Sequence, residues 1–170
     1  MSKIRKRAIE GIKINDTFTV ERTFTEQDMM RFADITKDYN AIHFDDRFAK
    51  VKNLRGRICH GLLVASMITQ VGGQIGWLAS RFDLRFMKPV YFGDTITCRL
   101  TVDDIDEKGW ARATAVYKNQ EGTTVLEANL EGVLPGAAER KVLKMMVDEG
   151  DPTNRFVNLD GIVKNPSTGR

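Results

Sequence analysis

The chain has little of several residues that would point elsewhere. It has two cysteines, Cys59 and Cys98, in 170 residues. Each sits in an apolar run, which excludes a disulfide framework and leaves two small hydrophobes. The net charge of +3 is too small to argue for nucleic acid. Ser2-Lys3-Ile4-Arg5-Lys6-Arg7 is locally basic and reads as a solvated amino terminus, with a contact for a phosphorylated ligand or an acidic surface as the alternative. Met1 to Asp16 lacks the apolar core of a secretory signal, so the expectation is a cytoplasmic protein. Repeats and low-complexity tracts are absent from the sequence. One long uncharged run occurs, Ile58 to Ser80, and it carries Ser66, Thr69, Gln70, Gln74, Gly72, Gly73 and Gly76. That polarity predicts a helix buried in a soluble core rather than a membrane span. Histidine is scarce too, only His43 and His60.

What is present is enough for one domain. The apolar share of 42% and the charged share of 29% are those of a globular protein, and the length is too short for two ordinary domains. Thr17 to Phe24 alternates as a half-buried strand. Thr25 opens a helix with Asp28 as capping-box partner, its inner face Met29, Phe32, Ala33 and Thr36, running out near Lys37-Asp38. Asp38 to Phe44 has no regular period, Asp45 to Val51 suits one short helical turn, and Gly61 to Ala79 reads as a long helix. From residue 81 the period becomes two: Phe82, Leu84 and Phe86; Ile96, Cys98, Leu100 and Val102; Ala111, Ala113, Ala115 and Tyr117; Leu126, Ala128 and Leu130. Pro89, Gly93-Asp94, Lys108-Gly109 and Gln120-Glu121-Gly122 separate these runs. Strands with one apolar face need a cover, and the uncharged helix is the candidate large enough. The expected architecture is α+β, an antiparallel sheet wrapped around a long central helix. It divides into an amino-terminal segment 1–14, a domain 15–135 and a charged tail 136–170, with a candidate helix over 138–147.

The chemistry gathers in the connector Asp38-Tyr39-Asn40-Ala41-Ile42-His43-Phe44-Asp45-Asp46. Asp38 and His43 lie five residues apart in an irregular segment fixed by helices at both ends. A histidine titrating near neutrality can take a proton from water while a carboxylate holds that water, which suits addition of water to an activated double bond. The bland alternative makes Asp38 a turn cap and His43 a satisfied structural histidine. Asn40 either bonds its own backbone or orients His43. At His60-Gly61 a helix begins, presenting backbone N–H groups suited to an oxyanion; the alternative role of Gly61 is close helix–sheet packing. Thr69, and Ser66 beside it, either reach Asp38 or bond back within the helix. Two histidines and two cysteines match no zinc spacing, so no metal site is expected.

These residues resemble the hydratase-2 motif of MaoC-like dehydratases, the R-specific enoyl-CoA hydratases. That pattern reads Asp-x-Asn-Pro-aliphatic-His-x-Asp, with a His-Gly pair at the distance that separates His43 from His60. Phe86-Met87-Lys88-Pro89-Val90-Tyr91-Phe92-Gly93-Asp94 also resembles the family. The departures are Ala41 in place of proline and Thr36-Lys37 in place of Ser-Gly. The resemblance implies a hot-dog fold and a homodimer. Asp38 and His43 would be the acid-base pair, with Gly61 N–H polarising a thioester carbonyl. Asn40, His60, Thr69 and Lys88 would surround the substrate, with Arg55 and Arg57 as further phosphate contacts. It implies no cofactor beyond the CoA or acyl-carrier thioester that belongs to the substrate, and no nucleic-acid or membrane partner. The reaction would be reversible hydration of a trans-2-enoyl thioester to an R-3-hydroxyacyl thioester. The alternatives are a hot-dog thioesterase and a non-catalytic acyl-CoA-binding protein.

Overall fold

The computed structural model describes residues 1–151. β1 (Thr17–Thr23), β2 (Leu78–Phe86), β3 (Thr95–Ile105), β4 (Trp110–Lys118) and β5 (Thr124–Val133) form one antiparallel sheet in the order β1-β3-β4-β5-β2. Phe18, Leu100, Ala115, Ala128 and Leu84 pair in one row across all five strands and face the core. A slip of one residue in any strand would turn its share of that row to solvent, so the alternating pattern also fixes the register. At the β2 edge the pattern is less faithful. Phe82 and Phe86, expected in the core, are 46% and 53% exposed.

The uncharged run crosses the sheet as α5 (Gly61–Ala65) and α6 (Met67–Ile75), which bury Leu63, Val64, Met67, Ile68, Val71 and Ile75. The expected single helix to Ala79 is corrected in two ways. It breaks at Ser66, where Thr69 N–H turns back to Ser66 O and Ser66 Oγ donates to Leu63 O at 2.6 Å. At this break Ala65 O accepts a hydrogen bond from the buried Tyr117 hydroxyl at 2.8 Å. The helix then ends early because Gly76 adopts a left-handed φ of 78° and donates its N–H to Gly72 O. Trp77 and Leu78 lead into β2, crossing so close to Gly132 that a side chain there would collide with Leu78 O.

α1 (Lys3–Glu10) corrects the reading of the amino terminus as solvated. Ser2 caps it, accepting from Arg5 N–H, and donates to Gln74 Oε1 of α6 at 2.7 Å. Ile4 and Ala8 join the core. Buried Arg5 lies 3.6 Å from buried Asp151, tying this helix to the end of the described chain. α7 (Ala137–Asp148) covers the helix expected over 138–147, and it buries no residue. Residues 152–170 of the expected tail lie outside the described residues.

α2 (Glu26–Thr36) starts at Thr25 with the reciprocal Thr25–Asp28 capping box. Met29 and Ala33 are buried, but Thr36, expected on the inner face, is exposed and bonds back to Phe32 O. Lys37 stops the helix with a φ of 61° and so turns the chain at Asp38. The segment expected to be irregular contains a one-turn helix, α3 (Ala41–Phe44), followed by α4 (Asp46–Val51). Among the described residues no helix is long and apolar enough to cross a membrane.

Candidate active site

The connector is held by its own short-range bonds. Asp38 Oδ1 accepts from Asn40 N–H at 3.2 Å, and Asn40 Oδ1 accepts from Ile42 N–H at 3.2 Å, capping α3. Asn40 therefore bonds its own backbone, and His43 is oriented by another group. His43 Nδ1 lies 2.8 Å from Ile58 O. A carbonyl only accepts, so Nδ1 carries the hydrogen and Nε2 presents a lone pair.

That lone pair faces Asp38. His43 Nε2 is 4.0 Å from Asp38 Oδ2, and His60 Nε2 is 3.8 Å from the same oxygen. Both separations are too long for a direct hydrogen bond, and 4.0 Å is a span that one bridging water can close. His43 is buried while the Asp38 side chain is half exposed. Burial pushes the His43 pKa down and the Ile58 carbonyl pushes it up; His60 lowers it and Asp38 raises it, leaving the imidazole below its ordinary value.

His60, expected as a substrate contact, is packed behind this pair. Its ring stacks on His43 at 3.8 Å between centroids, its Nε2 bonds Asp38 O at 2.9 Å, and it is 2% exposed. The fold also brings together what spacing alone set apart, because Asp38, His43 and His60 each offer a ligand atom within 4.8 Å of the others. Those atoms could surround a metal ion, though the hydrogen His60 Nε2 donates to Asp38 O occupies that nitrogen.

A cavity of about 570 Å³ opens beside the pair. Asp38, His43, His60, Gly61 and Lys88 line it, together with apolar Ile42, Leu62, Phe86 and Leu126. Gly61 begins α5, whose first turn receives no side-chain cap, and Gly61 itself lines this space. The Phe86 ring lies against Gly61, with its Cε1 2.6 Å from where a Cβ would stand. Cys59 also lines the cavity, and burial followed by the Asp94 and Asp28 charges pushes its thiol up to about 12. It therefore remains a thiol at neutral pH and is not an activated nucleophile.

Other expected contacts are not brought here. Thr69 is exposed, and its hydroxyl donates to Ser66 O at 2.7 Å, not to Asp38. Ser66 likewise bonds within its helix. Arg55 stacks on Tyr91 at 4.0 Å and pairs with Asp94, and Arg57 pairs with Glu26 and Asp46. The bulky Trp77, Met67 and Phe82 do not line the cavity. Phe86, expected on the covered face of its strand, and Leu62, which carried no signal of its own, do.

The family model described as MaoC like domain matches residues 12–125. An (R)-specific enoyl-CoA hydratase of Rhodospirillum rubrum is 33% identical over 97 residues, which are 55% of this chain and 67% of that protein. A 3-hydroxybutyryl-CoA dehydratase of Methylorubrum extorquens is 29% identical over 157 residues, or 89% of this chain and 93% of that one. The solved (R)-hydratase from A. caviae involved in PHA biosynthesis superposes with a TM-score of 0.70 at 26% identity, covering 74% of this chain and 99% of that structure. The sheet around a buried helix is thus the hot-dog fold. The match runs from the end of α1 into β5 and takes in the Asp38 connector and the His60-Gly61 turn, so the chain belongs to the MaoC-like domain family.

Proposed function

We propose that the protein is a hydro-lyase that reversibly hydrates trans-2-enoyl thioesters to R-3-hydroxyacyl thioesters. The observation that carries this reading is the 4.0 Å gap between Asp38 Oδ2 and the His43 Nε2 lone pair, open to an apolar cavity. A water held there by Asp38 Oδ2 gives one proton to His43 Nε2 as its oxygen bonds C3 of the substrate. The double-bond electrons move onto the thioester oxygen, which Gly61 N–H stabilises; such donors contribute ~3 kcal/mol to a barrier. The pair then returns that proton to C2. Both new bonds form on the face that looks at the pair, which makes the addition syn and regenerates both groups. No step needs a cofactor. The relatives named as hydratases and dehydratases of enoyl or 3-hydroxyacyl thioesters support the substrate class.

Lys88, exposed at the cavity rim, is assigned to the phosphates of the thioester carrier. The exposed apolar residues Leu78, Phe82 and Phe86 along the edge strand β2 are assigned to a homodimer interface. Light scattering on the purified protein gives twice the chain mass if that assignment holds and the single chain mass if it fails.

Incubation with crotonyl-CoA and longer trans-2-enoyl-CoAs, followed by enoyl absorbance, free thiol and product chirality, tests the reading. Loss of absorbance without thiol release, giving the R-3-hydroxy product, is expected. Thiol release with the double bond intact would replace the hydratase with a thioesterase. Binding of acyl-CoA without either change would leave only a binding protein.

A further inference from the structure

We infer that His60 is a positioning residue that aligns both members of the acid-base pair through its Nε2 donor and its ring face; this rests on the hydratase reading above. His60 reaches the two partners by different parts of its side chain. Its Nε2 is 2.9 Å from the main-chain oxygen of Asp38, and its ring face lies 3.8 Å from the His43 ring at an interplanar angle of 27°.

The carbonyl acceptor fixes the tautomer. Nε2 carries the hydrogen, and Nδ1 is left as a lone pair, buried and without a hydrogen-bond partner among the described residues. A buried N–H at Nδ1 would lack an acceptor, which is costlier than a spare lone pair on a weak acceptor, so the environment holds the Nε2–H form. The two histidines thus carry opposite tautomers: Nδ1–H on His43, aimed at Ile58 O, and Nε2–H on His60, aimed at Asp38 O.

The anchor sits where the chain needs one. Asp38 follows the left-handed Lys37 that stops α2, its side chain is half exposed, and among the described residues its carboxylate accepts one hydrogen bond, the turn bond from Asn40 N–H. The His60 donor pins the backbone of this residue from the start of α5, 22 positions away. Phe32, with its centroid 5.3 Å away, and Phe44, at 6.3 Å, pack around the His60 ring and hold it against His43. Loss of this support would let Asp38 drift, and a displacement of ~1 Å at a reacting group can cost ~10²-fold in rate.

Two substitutions separate the donor from the ring. Gln places an amide N–H near the position of Nε2, and Phe keeps an aromatic face but donates nothing. With crotonyl-CoA, H60Q is expected to keep turnover within a few-fold of the natural chain. H60F is expected to lose about tenfold or more in kcat, with a smaller change in KM. Long-range proton–nitrogen NMR of the full chain, whose only histidines are these two, should report Nε2–H for His60 and Nδ1–H for His43. Equal turnover in H60F and the natural chain, equal loss in both variants, or Nδ1–H on His60 would overturn the proposal. If both variants fail to fold, the NMR result decides alone. A natural chain that hydrates no enoyl thioester would remove the functional reading, while the tautomer measurement would still judge the geometry.

Discussion

Gly61→Ala separates the two roles open to this glycine. Its backbone is outside the left-handed region, so alanine meets no conformational penalty there. The new Cβ would stand 2.6 Å from Phe86 Cε1 and 3.0 Å from Cδ1. Something must move, and what moves is the outer edge of a half-exposed ring rather than backbone. Overpacking costs ~1–3 kcal/mol in a closed core, and a ring free to swing puts this case at the low end. Alanine in place of glycine in a helix recovers up to ~1 kcal/mol. The net loss in stability is therefore at most ~1 kcal/mol, or a fall in Tm of no more than about 2–4 °C for a chain of this size. The chemistry suffers more, because the methyl and the displaced ring both enter the cavity beside the Gly61 N–H. Losing that donor costs ~3 kcal/mol, about 10²-fold in turnover. Thermal unfolding and crotonyl-CoA turnover of the same preparation give both numbers. A Tm lower by more than ~10 °C with unchanged turnover per folded molecule would make Gly61 a packing residue and refute the oxyanion assignment.

The pH dependence has a determined sign. On the proposed mechanism His43 is the base, and with its pKa held below the ordinary 6.5, first by burial, kcat/KM should fall on the acid side with a midpoint below 6.5. The unfolded chain takes up that proton first; stability should therefore decline as pH falls from 6.5 to the lowered value, the cost being complete below it. Because Asp38 raises the His43 pKa, Asp38→Asn should move the His43 titration seen by NMR further down, and an upward move would contradict the charge arrangement. Tyr117→Phe removes the donor at the helix break and leaves Ala65 O without it, so denaturant titration should show a loss of ~1–3 kcal/mol. Thr69→Ala should leave turnover close to that of the natural chain, since the hydroxyl serves only its own helix; a large loss would return Thr69 to the site.

Much of the fold was legible because strands record burial locally. The alternation in β3, β4 and β5 reports a sheet with one covered face, and each inward residue named there is buried. The Thr25–Asp28 cap was readable for the same reason, both partners lying within one helical turn. The helix break at Ser66 was not, because it depends on Tyr117, a partner 52 positions away. The docking of α1 was hidden for a related reason. Its apolar residues are few, and a basic sequence looks solvated until Ser2 meets Gln74 and Arg5 meets Asp151. Within the site, the spacing of Asp38, His43 and His60-Gly61 pointed to residues that the fold does bring together around one cavity. It could not show that Asn40 serves its own turn, that Thr69 points away, or that one histidine stacks on the other. Those relations depend on which carbonyl, Ile58 or Asp38, the fold delivers to each ring.

The central claim is that Asp38 and His43 share the activation of one water. The most direct measurement is crotonyl-CoA hydration by Asp38→Asn and His43→Gln, each checked for native circular dichroism and Tm. Asp38 is half exposed, whereas His43→Gln gives up the stack on His60 and the Nδ1 bond to Ile58 O, so its Tm should fall; each variant that keeps its fold should still lose about 10² or more in turnover. Near-natural turnover in either folded variant would contradict the account.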